Sequence, residues 1–151
     1  MTISCLQGGQ VIAQLSGGTK INLEIQKILY FANMLYIGEN QKPLIESKFL
    51  TWRRGPAVEK LHYSIKEYRG RHVPTTAFRD IVPIMDDQEH EEEVRIIKKA
   101  YERFGKYSAR KLVQISHWPE GAWQTSIDRG HKEIDDTLIL DEFNARNRQR
   151  R

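Results

Sequence analysis

Residues 21–37 read INLEIQKILYFANMLYI. Apolar side chains at Ile25, Ile28, Leu29, Ala32, Leu35 and Tyr36 recur at the three- and four-residue steps that place them on one side of an α-helix. The other sides are also apolar, with Leu23, Tyr30, Phe31, Met34 and Ile37. The polar residues Glu24, Gln26, Lys27 and Asn33 do not line up into one solvated stripe. A helix that is apolar nearly all round is surrounded by its neighbours. This stretch is therefore expected to be the central, buried helix of a mainly α, single compact helical domain. Its polar residues make it a poor membrane span. Asn22 is expected to cap its start, and Gly38 to end it in the left-handed conformation.

Working outward, Val11, Ile12 and Leu15 lie between Gly8-Gly9 and Gly17-Gly18 and predict a brief first helix. Leu44–Trp52 alternates weakly and is rich in β-forming residues, which predicts a short β-hairpin near 44–53. At 52–56, WRRGP sets glycine before proline as a helix start, followed by an apolar face of Val58, Leu61, Ile65 and Tyr68. Pro74 and Pro83 forbid a continuous helix across 71–87, read as a surface connection. The acidic run DDQEHEEE at 86–93 suits a helix entrance, where it meets the positive end of the macrodipole. Val94, Ile97, Tyr101 and Phe104 would form that helix's buried side, and Gly105 its end. Ser108 can cap the next helix, Pro119 fits the first turn of a short one holding Trp123, and Asp135 or Asp136 can cap the last.

A chain of 151 residues fits one domain with a sizeable core. Its 29% charged and 39% hydrophobic content excludes a disordered or membrane-embedded class. Met1–Leu15 lacks the marks of a targeting segment. The single cysteine, Cys5, excludes an internal disulfide framework, and near a terminus it is expected to be mobile. These features favour the cytosol. The net charge of +4 resides in the end of the chain, NARNRQRR, where Arg146, Arg148, Arg150 and Arg151 meet no acid. Residues 1–143 then form the domain and 144–151 a basic, flexible tail. Such a tail is a solubilising end or a contact for nucleic acid or an acidic partner.

Catalytic signatures are missing. The five histidines, His62, His72, His90, His117 and His131, show no metal-ligand spacing, so no metal or cofactor is expected. No nucleophile elbow or phosphate loop is present. A basic stripe or helix-turn-helix signature for nucleic acid is also lacking. What stands out is a concentration of Trp, Arg, Gly and His at element ends: Trp52, Arg53, Arg54 and Gly55, then His117, Trp118 and Trp123. Trp and Arg dominate binding hot spots. Trp52 and Trp123 read more readily as core residues, since large aromatics are highly buried on average, and Trp118, before a proline, reads as the more exposed.

Four pieces of the chain together resemble the Panacea antitoxin domain, the SocA-like family also described as phage-associated proteins. They are INLEIQKILYFANMLY (21–36), FLTWRRGPAVEKLHYSIKEY (49–68), FGKYSARKLVQISHWPEGAW (104–123) and IDDTLILDEF (134–143). The resemblance spans roughly residues 10–143. The family's Tyr-Gly is Phe104-Gly105 here, its Thr-His is Ser116-His117, and its Gly-Pro-Val is Gly55-Pro56-Ala57. Its Pro-Trp is Ala122-Trp123, with Pro119 three residues before Ala122.

The resemblance implies an antitoxin that neutralises a cognate toxin by direct association and performs no reaction. One branch of the family implies a second role, as an adaptor that delivers the toxin to a bacterial protease. A nucleic-acid-binding regulator acting through the arginine tail is a third reading. The expected partner-binding residues are Trp52, Arg53, Arg54 and Gly55, with His117, Trp118 and Trp123 as a second cluster. The competing reading is that these residues preserve the fold.

Overall fold

The computed structural model describes residues 2–149. Among them run seven α-helices: α1 (Cys5–Ser16), α2 (Asn22–Asn40), α3 (Glu59–Ile65), α4 (Glu91–Phe104), α5 (Ala109–Ser116), α6 (Ala122–Asp128) and α7 (Asp136–Gln149). Single 3-10 turns lie at Lys66–Tyr68, Thr75–Phe78 and Gln88–His90. No helix among the described residues is long and apolar enough to cross a membrane.

Helix α2 occupies the centre, packed against α1, α3, α4, α5 and α7. Ile25, Ile28, Leu29, Tyr30 and Ala32 are fully buried, as the apolar circumference requires. Val11 and Ile12 of α1, Leu61 and Ile65 of α3, and Ile96 and Ile97 of α4 join them in one core. Phe31 stacks on Phe104 with centroids 4.3 Å apart, and Tyr30 meets Phe49 edge-on at 5.1 Å. Each aliphatic or aromatic side chain so buried stabilises the fold by about 1.5–3 kcal/mol.

Three of the polar residues that break up the apolar surface of α2, Gln26, Lys27 and Asn33, are buried too, and they hold loops. Gln26 accepts from the Val58 N–H at 2.8 Å and donates to the Val58 carbonyl at 3.1 Å. Lys27 Nζ donates to the Pro56 carbonyl at 2.8 Å, and Asn33 accepts from the Leu44 N–H at 2.9 Å. Buried backbone groups need partners, and α2 supplies them where the chain lacks regular structure.

Both expected ends of α2 shift. Asn22 is its first residue, not its cap: Ile21 holds the cap position, and Glu24 reaches back to accept the Ile21 N–H at 3.0 Å. Gly38 remains helical, and the Phe143 ring lies where a Cβ would project, so the glycine makes room for packing instead of ending the helix. The left-handed residue that ends the helix is Gln41, at φ +60°.

The β-hairpin expected near 44–53 does not form, and no strand occurs among the described residues. That segment instead makes single bridges to three separate parts of the chain: Ile45 to Ile3, and Leu50 to both Ala57 and Glu133. With its backbone groups satisfied by different segments, no ladder can extend. The expected helix start at Pro56 also moves, to Glu59, since Pro56 and Val58 are held by Lys27 and Gln26. Pro119 likewise precedes α6 instead of lying in its first turn.

Cys5 is fully buried at the start of α1 behind a Ser4–Gln7 capping box, contrary to the mobile terminus expected. Burial pushes its thiol pKa up. The connection 71–87 is anchored by buried Val73, Phe78 and Ile84, with Gln10 donating to the Phe78 and Ile81 carbonyls. Ser108 caps α5 as expected, accepting from the Lys111 N–H, and Asp135 accepts from the Thr137 N–H at the start of α7. Helix α7 continues through residues 144–149, so this part of the expected flexible tail is helical. Its Arg146 donates to Glu142 and to the Ile115 carbonyl, both at 2.7 Å. Arg150 and Arg151, assigned to the same tail, lie outside the described residues.

Candidate functional site

Residues 52–55 form a tight turn, closed by the Gly55 N–H donating to the Trp52 carbonyl at 3.0 Å. The Leu50–Ala57 bridge holds its neck, and Arg53 and Arg54 are exposed at its tip. Gly55 is buried at φ +106°, a conformation that side-chain-bearing residues avoid. A Cβ there would stand 2.6 Å from Ser116 Oγ and 2.9 Å from Lys27 Cε. Glycine thus lets this turn lie directly against α2 and the end of α5.

The two clusters of residues expected from the sequence meet at this turn, with one exception. Trp123, on α6, donates its indole N–H to the Trp52 carbonyl at 2.9 Å. Its ring stacks on His117, with centroids 3.9 Å apart and planes 4° from parallel. Trp52 itself is half-buried and edge-on to His62 at 5.1 Å. Trp118 is the exception. It lies under the Arg146 guanidinium at 4.3 Å and lines a separate groove with Phe104, Tyr107 and Phe143.

Charge is distributed unevenly around the turn. Lys27 is 1% exposed, and burial, reinforced by the neighbouring Arg54 charge, lowers its pKa to about 7. Burial and the Lys27 charge also hold the His117 imidazole below its ordinary pKa. Its Nε2 is buried without a hydrogen-bond partner among the described residues. On the far side of Trp123, Glu142 accepts the Ala122 N–H at 2.8 Å, which fixes the start of α6. Burial raises the Glu142 carboxyl pKa, against the opposing pull of Arg146 and of that N–H.

Between the turn, the start of α2 and the end of α3 opens a cavity of about 640 Å³. Ile21, Leu23 and Trp52 give it apolar and aromatic wall, while Lys27, Arg53, Arg54, Lys66 and Arg69 supply positive charge. Aromatic area beside convergent donors is a binding combination. The sequence reading missed Asn22, Lys27, His62, Lys66 and Arg69 as parts of this place. One signal for Lys27 was visible: a lysine inside a helix otherwise apolar nearly all round.

Residues 25–124 match the family model described as antitoxin SocA-like, Panacea domain. The chain is also 28% identical over 138 residues to Antitoxin SocA of Caulobacter vibrioides (strain NA1000 / CB15N), covering 81% of this chain and 71% of that protein. No solved structure matches it. The matched region takes in all of α3, α4 and α5, most of α2, and the turn that carries Trp52–Gly55. The central helix, the glycine turn laid against it and the tryptophan that closes it therefore fall within one family pattern, and the chain belongs to the SocA-like antitoxins with a Panacea domain.

Proposed function

We propose that this protein neutralises a toxin by direct protein–protein binding, and that the face built on the Trp52–Gly55 turn forms the centre of the contact. The observation that carries this reading is the joining of two distant segments, 52–55 and 117–123, around one pair of exposed arginines. The Trp123 indole N–H to the Trp52 carbonyl holds them together. Interfaces draw most of their energy from a few aromatic and arginine anchors set on rigid support. This turn has that support from Lys27, Gln26 and Trp123.

The test uses the product of an adjacent gene that is lethal when expressed alone and harmless with this chain. Replacing Arg53 and Arg54 together by Glu reverses the exposed charge without disturbing the core. Neutralisation should be lost while the melting temperature is kept. A stably folded double variant that still neutralises removes this face from the contact. Toxin half-life in the same cells separates the modes of action, since direct inhibition leaves the toxin abundant and inactive, whereas delivery to a protease shortens its life.

A further inference from the structure

Every charged side chain lining the cavity beside the turn is cationic, with Lys27 at its base and Arg53, Arg54, Lys66 and Arg69 around it. None of the five forms an ion pair with a carboxylate among the described residues. Asn22, also buried, meets His62 Nδ1 with its amide nitrogen at 3.2 Å, and its amide oxygen has no partner among the described residues. A buried cation without a counter-charge, as Lys27 is, and a buried polar atom without a partner, as the Asn22 amide oxygen is among the described residues, are both costly. A ligand that carries a carboxylate and an N–H donor together would answer both, and a peptide segment does. The apolar wall of Ile21, Leu23 and Trp52 suits the body of such a segment better than a bare inorganic anion.

We infer that the cavity receives an Asp or Glu side chain of the toxin, its carboxylate set among Lys27 and Arg54 and a backbone N–H of the same segment donating to Asn22. This rests on the toxin-binding reading and specifies the chemistry of what enters. Interface charge pairs that lose one partner weaken binding steeply. Lys66 and Arg54 are exposed, so reversing them leaves the fold intact.

The experiment measures toxin affinity by calorimetry for the wild type, for Arg54→Glu with Lys66→Glu, and for the charge-conserving Arg54→Lys with Lys66→Arg. Charge reversal should weaken binding by about 100-fold or more. The conserving pair should bind nearly as the wild type does. Lysine in place of one toxin acid should weaken the wild-type complex and restore binding to the reversed variant. Unchanged affinity on reversal, with wild-type neutralisation intact, overturns the acidic-segment inference and leaves the toxin-binding reading standing. A wild-type chain that neither binds nor neutralises any adjacent-gene product overturns both. Tight binding of ADP that displaces no toxin would assign the cavity to a small anion and likewise overturn the inference.

Discussion

Replacing Lys27 by methionine should make this protein more stable at neutral pH and less able to bind. The side chain is 1% exposed, and its pKa falls from 10.5 to about 7. Each tenfold change in proton affinity is worth about 1.4 kcal/mol, so keeping this lysine inside the fold costs about 5 kcal/mol at or below neutral pH. Methionine keeps the unbranched stem and sheds the charge. It also removes the 2.8 Å hydrogen bond to the Pro56 carbonyl, and an abandoned buried acceptor costs about 1–3 kcal/mol. The net is a gain of about 2–4 kcal/mol at pH 7.

The pH dependence of that gain follows from where the proton is held. Between about 7 and 10.5 the unfolded chain keeps the lysine proton that the folded chain has released. Wild-type stability from this group therefore rises with pH across that window, by about 1.4 kcal/mol per pH unit. Below pH 7 both states are protonated and the full cost remains. The variant has no such group, so its advantage should shrink as pH climbs and vanish before 10.5 is reached. Urea denaturation of both proteins at several pH values from neutral to alkaline measures this directly, because titrating groups not coupled to Lys27 cancel in the difference. A variant less stable than wild type at pH 7, or an advantage that does not change with pH, would refute the reasoning.

Two further perturbations probe the supports of the site. Gly55→Ala forces a Cβ into a φ of +106° and against Ser116 and Lys27, and should destabilise by about 2–5 kcal/mol from backbone strain and overpacking. Thermal or chemical denaturation checks the size, and near-ultraviolet circular dichroism should show the Trp52 and Trp123 environments altered; a loss under about 1 kcal/mol would contradict the close approach. Arg146→Ala leaves the buried Glu142 carboxylate without its cation and should cost about 3–5 kcal/mol. Burial already raises the Glu142 pKa, and a raised carboxyl takes up a proton on folding, which favours the fold as pH falls. The loss should therefore shrink through the acidic range, and a denaturation midpoint difference that stays constant with pH would count against it.

How far the candidate site could be read ahead of the structure differs from residue to residue. Trp52, Arg53 and Arg54 were marked by residue type beside a turn signal, and His117 and Trp123 by the same logic. That Trp123 would donate to the Trp52 carbonyl across 71 residues was not legible, since no local rule relates the two. Trp118 carried the same signal as Trp123 one turn away, yet it faces Arg146 and another groove. Lys27 shows the gap most clearly. Its place inside a helix apolar nearly all round was visible in the sequence. Its low pKa comes from burial and then from the Arg54 charge, and its hydrogen bond needs Pro56, both residues brought by a loop that folds back over α2.

Periodicity and short-range chemistry alone determined the helices, the central position of α2 and the Ser108 cap, because each depends on side chains within one or two turns of one another. The ends of α2 were already beyond that reach: Gly38 satisfies the local rule for a stop, and the Phe143 ring, more than a hundred positions later, makes it a packing glycine instead. The lone bridges of residues 45 and 50, the burial of Lys27 and the union of the 52–55 turn with His117 and Trp123 were decided only in three dimensions. Burial, pKa and hydrogen-bond partner are properties of pairs of groups, and the pairs that build this site are brought together only when the chain closes around its central helix.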